Sequence, residues 1–261
     1  MPLPAPVRIA VASTLAGTVA VAVWAALSRA TGGSIAPPPL AALMPTFSWR
    51  SKVAKATIYS ESGGRYDAIN ANTDGAGLSF GLIQWAQKPG SLGELLYAMR
   101  NRNPARFKQV FGPDADLLVA ATTKGGVQPV AGAYLWQEPW LSRFRAAGTD
   151  PVFKAVQDDL VLHGKYMQGA LDAAAAIGGG PPTERGLSLL FDRAVQQGEG
   201  LLKQKARSGA VQGATFDERA KSLASLMIAA SPAQWRSLVQ SRVAKIASDP
   251  FLSDSPVNMT A

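Results

Sequence analysis

The chain has 261 residues, a hydrophobic fraction of 47% and a formal net charge of +8. This composition is that of a globular protein with a core, so it excludes disorder as the default state. The absence of cysteine excludes disulfides, thiol catalysis and thiolate metal sites, and a single histidine, His163, leaves no basis for a histidine metal site or a catalytic triad. We therefore expect no metal and no cofactor.

The basic charge, with a pI of about 9.9, suits an anionic partner such as a membrane or a bacterial wall polymer. Nucleic acid is not the expected partner, because the sequence has no basic run and no nucleic-acid-binding signature.

The first part of the chain is predicted to be separate from the folded domain. Residues 9–27 carry no charge and lie between Arg8 and Arg29, which is close to the length that spans a bilayer. We interpret residues 1–29 as a signal peptide or a transmembrane signal anchor, and the proline- and glycine-rich residues 30–46 as a linker. Both interpretations place the folded domain, residues 47–261, outside the cytoplasm. It would be exported, either periplasmic or anchored to the inner membrane by the N-terminal helix, and we expect a monomer.

The domain is predicted to begin with a helix at residues 47–61, which Ser48 caps and which Gly63 and Gly64 end. Residues 66–70 and 78–85 have β-like patterns, and the sequence N-T-D-G between them is typical of a turn. Together they predict one small β-hairpin.

The rest of the domain is predicted to be helical. A helix over 91–101 has Ser91 as its cap and Glu94 three residues later, the spacing of a capping box. Further helices are predicted at 104–111, 114–122, 130–147, 151–177, 183–207, 215–229 and 232–247. The predicted fold is therefore α+β and mostly helical, with two lobes and a cleft between them.

Two carboxylates near the predicted hairpin are candidates for glycosidic bond hydrolysis, which needs a proton donor and a second group on the other face of the sugar. Glu61 fits the acid, because the negative end of the helix dipole disfavours its charge. Asp74 fits a solvated base in the turn, and Ser79 could hold the attacking water. Each also has a simpler interpretation: a solvated helix-end glutamate, a turn aspartate and a plain strand hydroxyl.

Two sequence patterns resemble the lysozyme superfamily. E-S-G-G, D-A-I-N and F-G-L-I-Q, within residues 61–84, are similar to the active-site region of soluble lytic transglycosylases and goose-type lysozymes. D-G-A-G-L-S-F-G-L-I, residues 74–83, resembles D-G-x-G-x-T-x-G-I-I of family-46 chitosanases, and F-D-R-A-V-Q-Q-G, residues 191–198, resembles a later helix of that family. The resemblance implies that Glu61 is the acid, Asp74 the base and Ser79 the residue that positions water in place of threonine.

Sugar binding calls for aromatic and amide side chains, and four near the hairpin are predicted to contact substrate: Tyr66, Asn72, Gln84 and Trp85. Other conspicuous residues are expected to be structural. Trp136 and Trp140 would pack on one helical face, His163 would be an ordinary surface or core histidine, and Asp192–Arg193 would be a solvated helix pair, with support of the cleft as the alternative.

The sequence therefore predicts a glycosidase that cleaves the β-1,4 glycan strands of bacterial peptidoglycan, of the endolysin or muramidase type. Asp74 favours hydrolysis with inversion, because the lytic transglycosylases that this chain resembles usually lack a second carboxylate and carry a later A-Y-N-type motif where residues 133–135 read A-Y-L. The alternatives are a lytic transglycosylase, a chitosanase-like hydrolase, for which a +8 protein is poorly matched to a polycation, and a non-catalytic wall-binding protein.

Overall fold

The computed structural model describes residues 48–259, and every element below belongs to that range. The predicted apolar segment and linker, residues 1–46, lie outside it. No helix in the described range is long and apolar enough to cross a membrane.

The first helix, α1 (Trp49–Ser62), begins and ends as its sequence predicts. The Ser48 side chain accepts a hydrogen bond from the Ser51 backbone N–H at 3.4 Å, and Gly63 ends the helix with φ 64°. Trp49, Val53, Ala54 and Thr57 form its buried face. Glu61 consequently lies in the last turn, where the helix dipole is negative.

The predicted hairpin is part of a three-stranded antiparallel sheet, β1 (Ile69–Ala71), β2 (Leu78–Phe80) and β3 (Trp85–Ala86), in that order. Ser79 of β2 lies opposite Asn70 on one side and Ala86 on the other. The hairpin is present as β1 and β2, and the sheet gains a third strand because the chain reverses again at residues 81–84. Gly81 and Gln84 both have positive φ, and the Gln84 side-chain amide donates to the Gly81 and Ala68 carbonyls at 3.0 and 3.2 Å.

Gly81 is required at this second reversal, and we predict that Gly81→Ala lowers the free energy of unfolding by at least about 2 kcal/mol. Its φ is +82°, and a Cβ there would lie 2.3 Å from Oε1 of Gln157, which accepts the Leu82 N–H. Chemical denaturation would measure the loss. Gly200→Ala is the matched control, because nothing lies within 4 Å of its Cβ position and it is helical, so that variant should be as stable as the natural protein or more stable. Equal stability of the two variants would contradict the conclusion that the second reversal requires glycine at position 81.

The remaining helices follow the sheet without a further strand among the described residues. They are α2 (Ser91–Arg102), α3 (Pro104–Phe111), α4 (Ala115–Lys124), α5 (Trp140–Thr149), α6 (Pro151–His163), α7 (Lys165–Ile177), α8 (Glu184–Gln197), α9 (Glu199–Ala206), α10 (Phe216–Ala230) and α11 (Arg236–Ala247), with a 3-10 turn at Ala233–Trp235. The mostly helical α+β prediction is confirmed.

Several predicted helices differ from those observed. The ranges 151–177 and 183–207 are each two helices, separated at Gly164, which is extended, and at Gly198, which has φ 87°. The range 130–147 is helical only from Trp140, so Trp136 does not share a helical face with it. Trp136 instead stacks on the Tyr134 ring at 4.6 Å, while Trp140 is buried.

The predicted cap at Ser91 was also wrong. Gly90 occupies the N-cap position, and the Ser91 hydroxyl instead bonds the backbone of Ala86, which ties α2 to β3. His163, at the end of α6, is exposed, which agrees with the expectation of an ordinary surface or core histidine.

Helix α8 lies at the centre of the C-terminal part and positions the candidate site. It is buried from residue 186 to residue 194 and packs on α1, α7, α9 and α10. The Ser188 hydroxyl donates to the Val53 carbonyl at 3.0 Å, so α1 and α8 are held side by side. The same hydrophobic core contains a group of phenylalanines whose rings contact one another: Phe80, Phe107, Phe111, Phe144 and Phe153.

Candidate active site

A cleft of about 640 Å³ lies between the sheet and the C-terminal ends of α1 and α8. Five of the predicted site residues line it: Glu61, Asp74, Ser79, Gln84 and Trp85. They come from α1, the β1–β2 loop, the middle strand, and the second reversal with the strand that follows it. The structure thus brings the two candidate carboxylates to one cavity from separate elements.

Glu61 is 13% exposed and is held from two sides. Its Oε1 accepts a hydrogen bond from Gln196 Nε2 at 2.7 Å and forms an ion pair with Arg242 Nη1 at 2.6 Å. Burial raises the pKa of the Glu61 carboxyl above its ordinary value, although Arg242 opposes the shift. A carboxyl with a raised pKa stays protonated to higher pH, which is the property a general acid needs.

Arg242 is fixed in turn by Asp192, which is completely buried in α8. Asp192 Oδ1 accepts from Arg242 Nη2 at 2.5 Å and from the Thr57 hydroxyl at 3.3 Å, and Oδ2 pairs with Arg193. The prediction of a solvated Asp192–Arg193 pair was wrong, because α8 is an interior helix. The side chains of Glu61, Arg242, Asp192 and Arg193 thus form a chain of alternating charges. This chain holds the Arg242 guanidinium against Glu61.

Asp74 lies at the other wall, exposed in the β1–β2 loop. Its Oδ1 accepts the Ala76 N–H at 3.0 Å, which fixes the carboxylate within its own turn. Asn72 shapes the same loop: it has φ 66°, and its Oδ1 accepts the Gly77 N–H at 2.9 Å. Asn72 is absent from the cleft lining, so the structure gives it a role in the loop rather than a contact with the cavity.

The other predicted binding residues differ in position. Trp85 is buried at 3% exposure but contributes to the wall, and the Gln84 amide N–H groups are used by backbone carbonyls. Tyr66 does not line the cleft. Its hydroxyl donates to Asp158 Oδ1 at 2.8 Å, and burial with this bond raises the Tyr66 pKa to about 12. Tyr66 therefore braces α6 against the segment before the sheet.

Several cleft residues were not predicted. Gln196 lies within residues 191–198, the segment that resembles a chitosanase helix. Arg242, which contacts Glu61, lies in a part of the sequence with no motif that indicates a site. Glu199 and Lys165 also line the cavity, and Lys165 Nζ pairs with Glu94 at 2.7 Å. Among the described residues, the lining thus includes three carboxyl groups, one of which is paired with Arg242, and one lysine, which is paired with Glu94. This acidic balance differs from the basic charge of the whole chain. No cluster of three or more potential metal ligands occurs in the described range.

Comparisons with solved structures agree with this architecture. A family-46 chitosanase of Gynuella sunshinyii in complex with chitotetraose matches with a TM-score of 0.56 and 22% identity, over 78% of this chain and 88% of that one. A chitosanase variant from Bacillus subtilis MY002 complexed with 6 GlcN matches with a TM-score of 0.56 and 16% identity, over 77% and 87%. No family model and no curated protein matches the sequence. The fold of the chain is therefore similar to that of the chitosanases.

Proposed function

We propose that this protein hydrolyses β-1,4 bonds of an amino-sugar glycan with inversion, using Glu61 as acid and Asp74 as base. The observation that carries the proposal is that both carboxylates line one cleft, one partly buried with a raised pKa and the other exposed in a loop. Two carboxylates with different environments are what acid and base roles require.

In this mechanism, protonated Glu61 donates its proton to the leaving glycosidic oxygen. Arg242 and Gln196, within hydrogen-bond distance, then stabilise the carboxylate that forms. Asp74 removes a proton from water on the opposite face of the sugar, and Ser79, in the cleft wall, orients that water. An inverting enzyme of this type separates its carboxyl groups by roughly 6.5–9.5 Å to leave room for the water.

We propose a polymer that contains glucosamine as the first candidate substrate. Asp74 and Glu199 supply carboxylates to the cleft beside the acid Glu61, and carboxylates suit the ammonium groups of such a polymer although the whole chain is basic. The structural relatives are chitosanases, and two of them were solved with glucosamine oligosaccharides. Peptidoglycan is the second candidate, because the +8 charge of the chain suits an anionic wall polymer at the rest of the surface.

The test is incubation of the full-length protein with chitosan and, separately, with purified peptidoglycan, followed by mass spectrometry of the soluble fragments. We expect fragments with ordinary reducing ends and a loss of at least about 100-fold in Asp74→Asn. Asp159→Asn, an exposed aspartate outside the cleft lining, is the matched control and should keep full activity. Anhydro ends, or no fragments from either polymer, would overturn the proposal.

The rate should depend on pH through Glu61. A general acid works only when protonated, so kcat/KM should fall as the pH rises through the Glu61 pKa. Because burial raises that pKa, the alkaline limb should lie above the ordinary value of 4.5. A pH–rate profile with a soluble oligosaccharide would measure it, and a limb at or below that value would argue against Glu61 as the acid.

A further inference from the structure

A second cavity, of about 510 Å³, adjoins the cleft and shares Asp74, Gln196 and Gln197 with it. Its remaining walls come from α9, the end of α10, the 3-10 turn and the start of α11. The side chain of Gln197 is fixed there, since its Nε2 donates to the Met227 carbonyl at 2.8 Å and to the Ser231 hydroxyl at 3.1 Å. This wall is therefore built into the fold.

The chemistry of the second cavity differs from that of the cleft. Among the residues of the range 48–259 that line it, Asp74 is the only ionisable one, and Leu201, Trp235, Leu238 and Val239 supply apolar surface. Trp235 is 48% exposed and Leu238 is 54% exposed. Large apolar side chains grouped at a concave surface are typical of a binding site.

Because Asp74 lines both cavities, a glycan strand in the cleft that extends past Asp74 would meet the second cavity. An ammonium group placed there would lose water against leucine and tryptophan, whereas the methyl of an acyl group would gain from burial. The cleft with its three carboxylates is the better place for free amino groups.

We propose that the second cavity is an acyl subsite, which binds the N-acyl group of an amino-sugar unit next to the point of cleavage. The proposal rests on the proposed function, because it requires a glycan in the cleft. It specifies the substrate class as a glycan with an N-acylated unit on the Asp74 side, in preference to a polymer with free amino groups only.

Binding measurements test the subsite without turnover. The full-length protein carrying Glu61→Gln would be titrated by calorimetry with the hexamer of N-acetylglucosamine and with the hexamer of glucosamine. Adding Trp235→Ala should weaken binding of the acetylated hexamer by roughly 10-fold and that of the glucosamine hexamer by less than about 2-fold. Phe251→Ala is the matched control, because Phe251 is 77% exposed and lines neither cavity, and it should change neither affinity. Leu238→Asn should repeat the selective loss with the tryptophan intact.

Equal losses for the two hexamers, no loss for either, or no binding of the acetylated hexamer before substitution would each overturn the acyl subsite. The proposed function is judged separately. Hydrolysis by the natural chain, together with unselective Trp235→Ala binding, would keep the function and remove the subsite. Selective binding without hydrolysis of any glycan would remove the function and keep the subsite.

Discussion

Replacing Glu61 by glutamine should lower kcat by about 100- to 10,000-fold, because the amide cannot supply a proton to the leaving oxygen. The amide keeps the size of the side chain and can still bond Gln196, so the cleft should keep its shape. Release of reducing ends from a soluble oligosaccharide would measure the loss. Glu138→Gln, an exposed glutamate outside the cleft, should retain full activity, whereas comparable activity in Glu61→Gln would exclude this residue as the acid.

The same substitution should not weaken the fold at neutral pH. The folded-state pKa of Glu61 lies above its ordinary value, so the protonated side chain contributes favourably to the free energy of unfolding. This contribution is complete below the pKa of the unfolded state and is lost as the pH rises through the pKa of the folded state. At pH 7 the buried carboxylate is then a net cost, and Glu61→Gln should melt at the same temperature as the natural protein or higher. The difference should shrink toward pH 4. A lower melting temperature at pH 7 would mean that the Arg242 ion pair outweighs burial.

Asp192→Ala should have the largest effect on stability, a loss of about 3–5 kcal/mol in the free energy of unfolding. Asp192 is fully buried between Arg193 and Arg242, and the buried Nε of each arginine has no hydrogen-bond partner among the described residues. Removing the carboxylate leaves two guanidinium groups short of counter-charge. Chemical denaturation would measure the loss, with Asp116→Ala as control, because that aspartate is 60% exposed and its surface ion pairs should contribute less than about 1 kcal/mol.

Asp192 should also act on the reaction through Glu61. Its negative charge helps to raise the Glu61 pKa, so its removal should move the alkaline limb of the pH–rate profile to lower pH. Asp192→Asn, which keeps the shape of the side chain, should show the same shift at a smaller cost in stability. A purely structural role would leave the limb unmoved in the fraction of enzyme that remains folded.

The sequence contained local signals for part of this structure. Ser48 and Gly63 mark the ends of α1 because capping and positive φ depend on single residues, and this placed Glu61 in a last helical turn. The breaks at Gly164 and Gly198 were missed because a helical pattern tolerates an isolated glycine and the flanking residues continue it. The second reversal of the sheet was missed because it depends on Gln84 adopting φ 54°, which an ordinary residue seldom does.

The rest of the site depends on contacts between distant parts of the chain. Arg242 reaches Glu61 because α11 packs against α8, and nothing near Arg242 in sequence indicates a contact with Glu61. The burial of Asp192 and Arg193 likewise follows from the central position of α8, which no local pattern specifies. Tyr66 was close to the site in sequence but turns toward Asp158, so proximity along the chain misplaced it.

The most direct test of the two-carboxylate mechanism is the anomeric form of the first product. The full-length protein would be mixed with a β-1,4-linked glucosamine hexamer, and proton NMR would follow the new reducing end before mutarotation. We expect the α-anomer to appear first, because water activated by Asp74 attacks from the face opposite the leaving group. A β-anomer formed first would indicate retention and would contradict the assignment of Asp74 as the base.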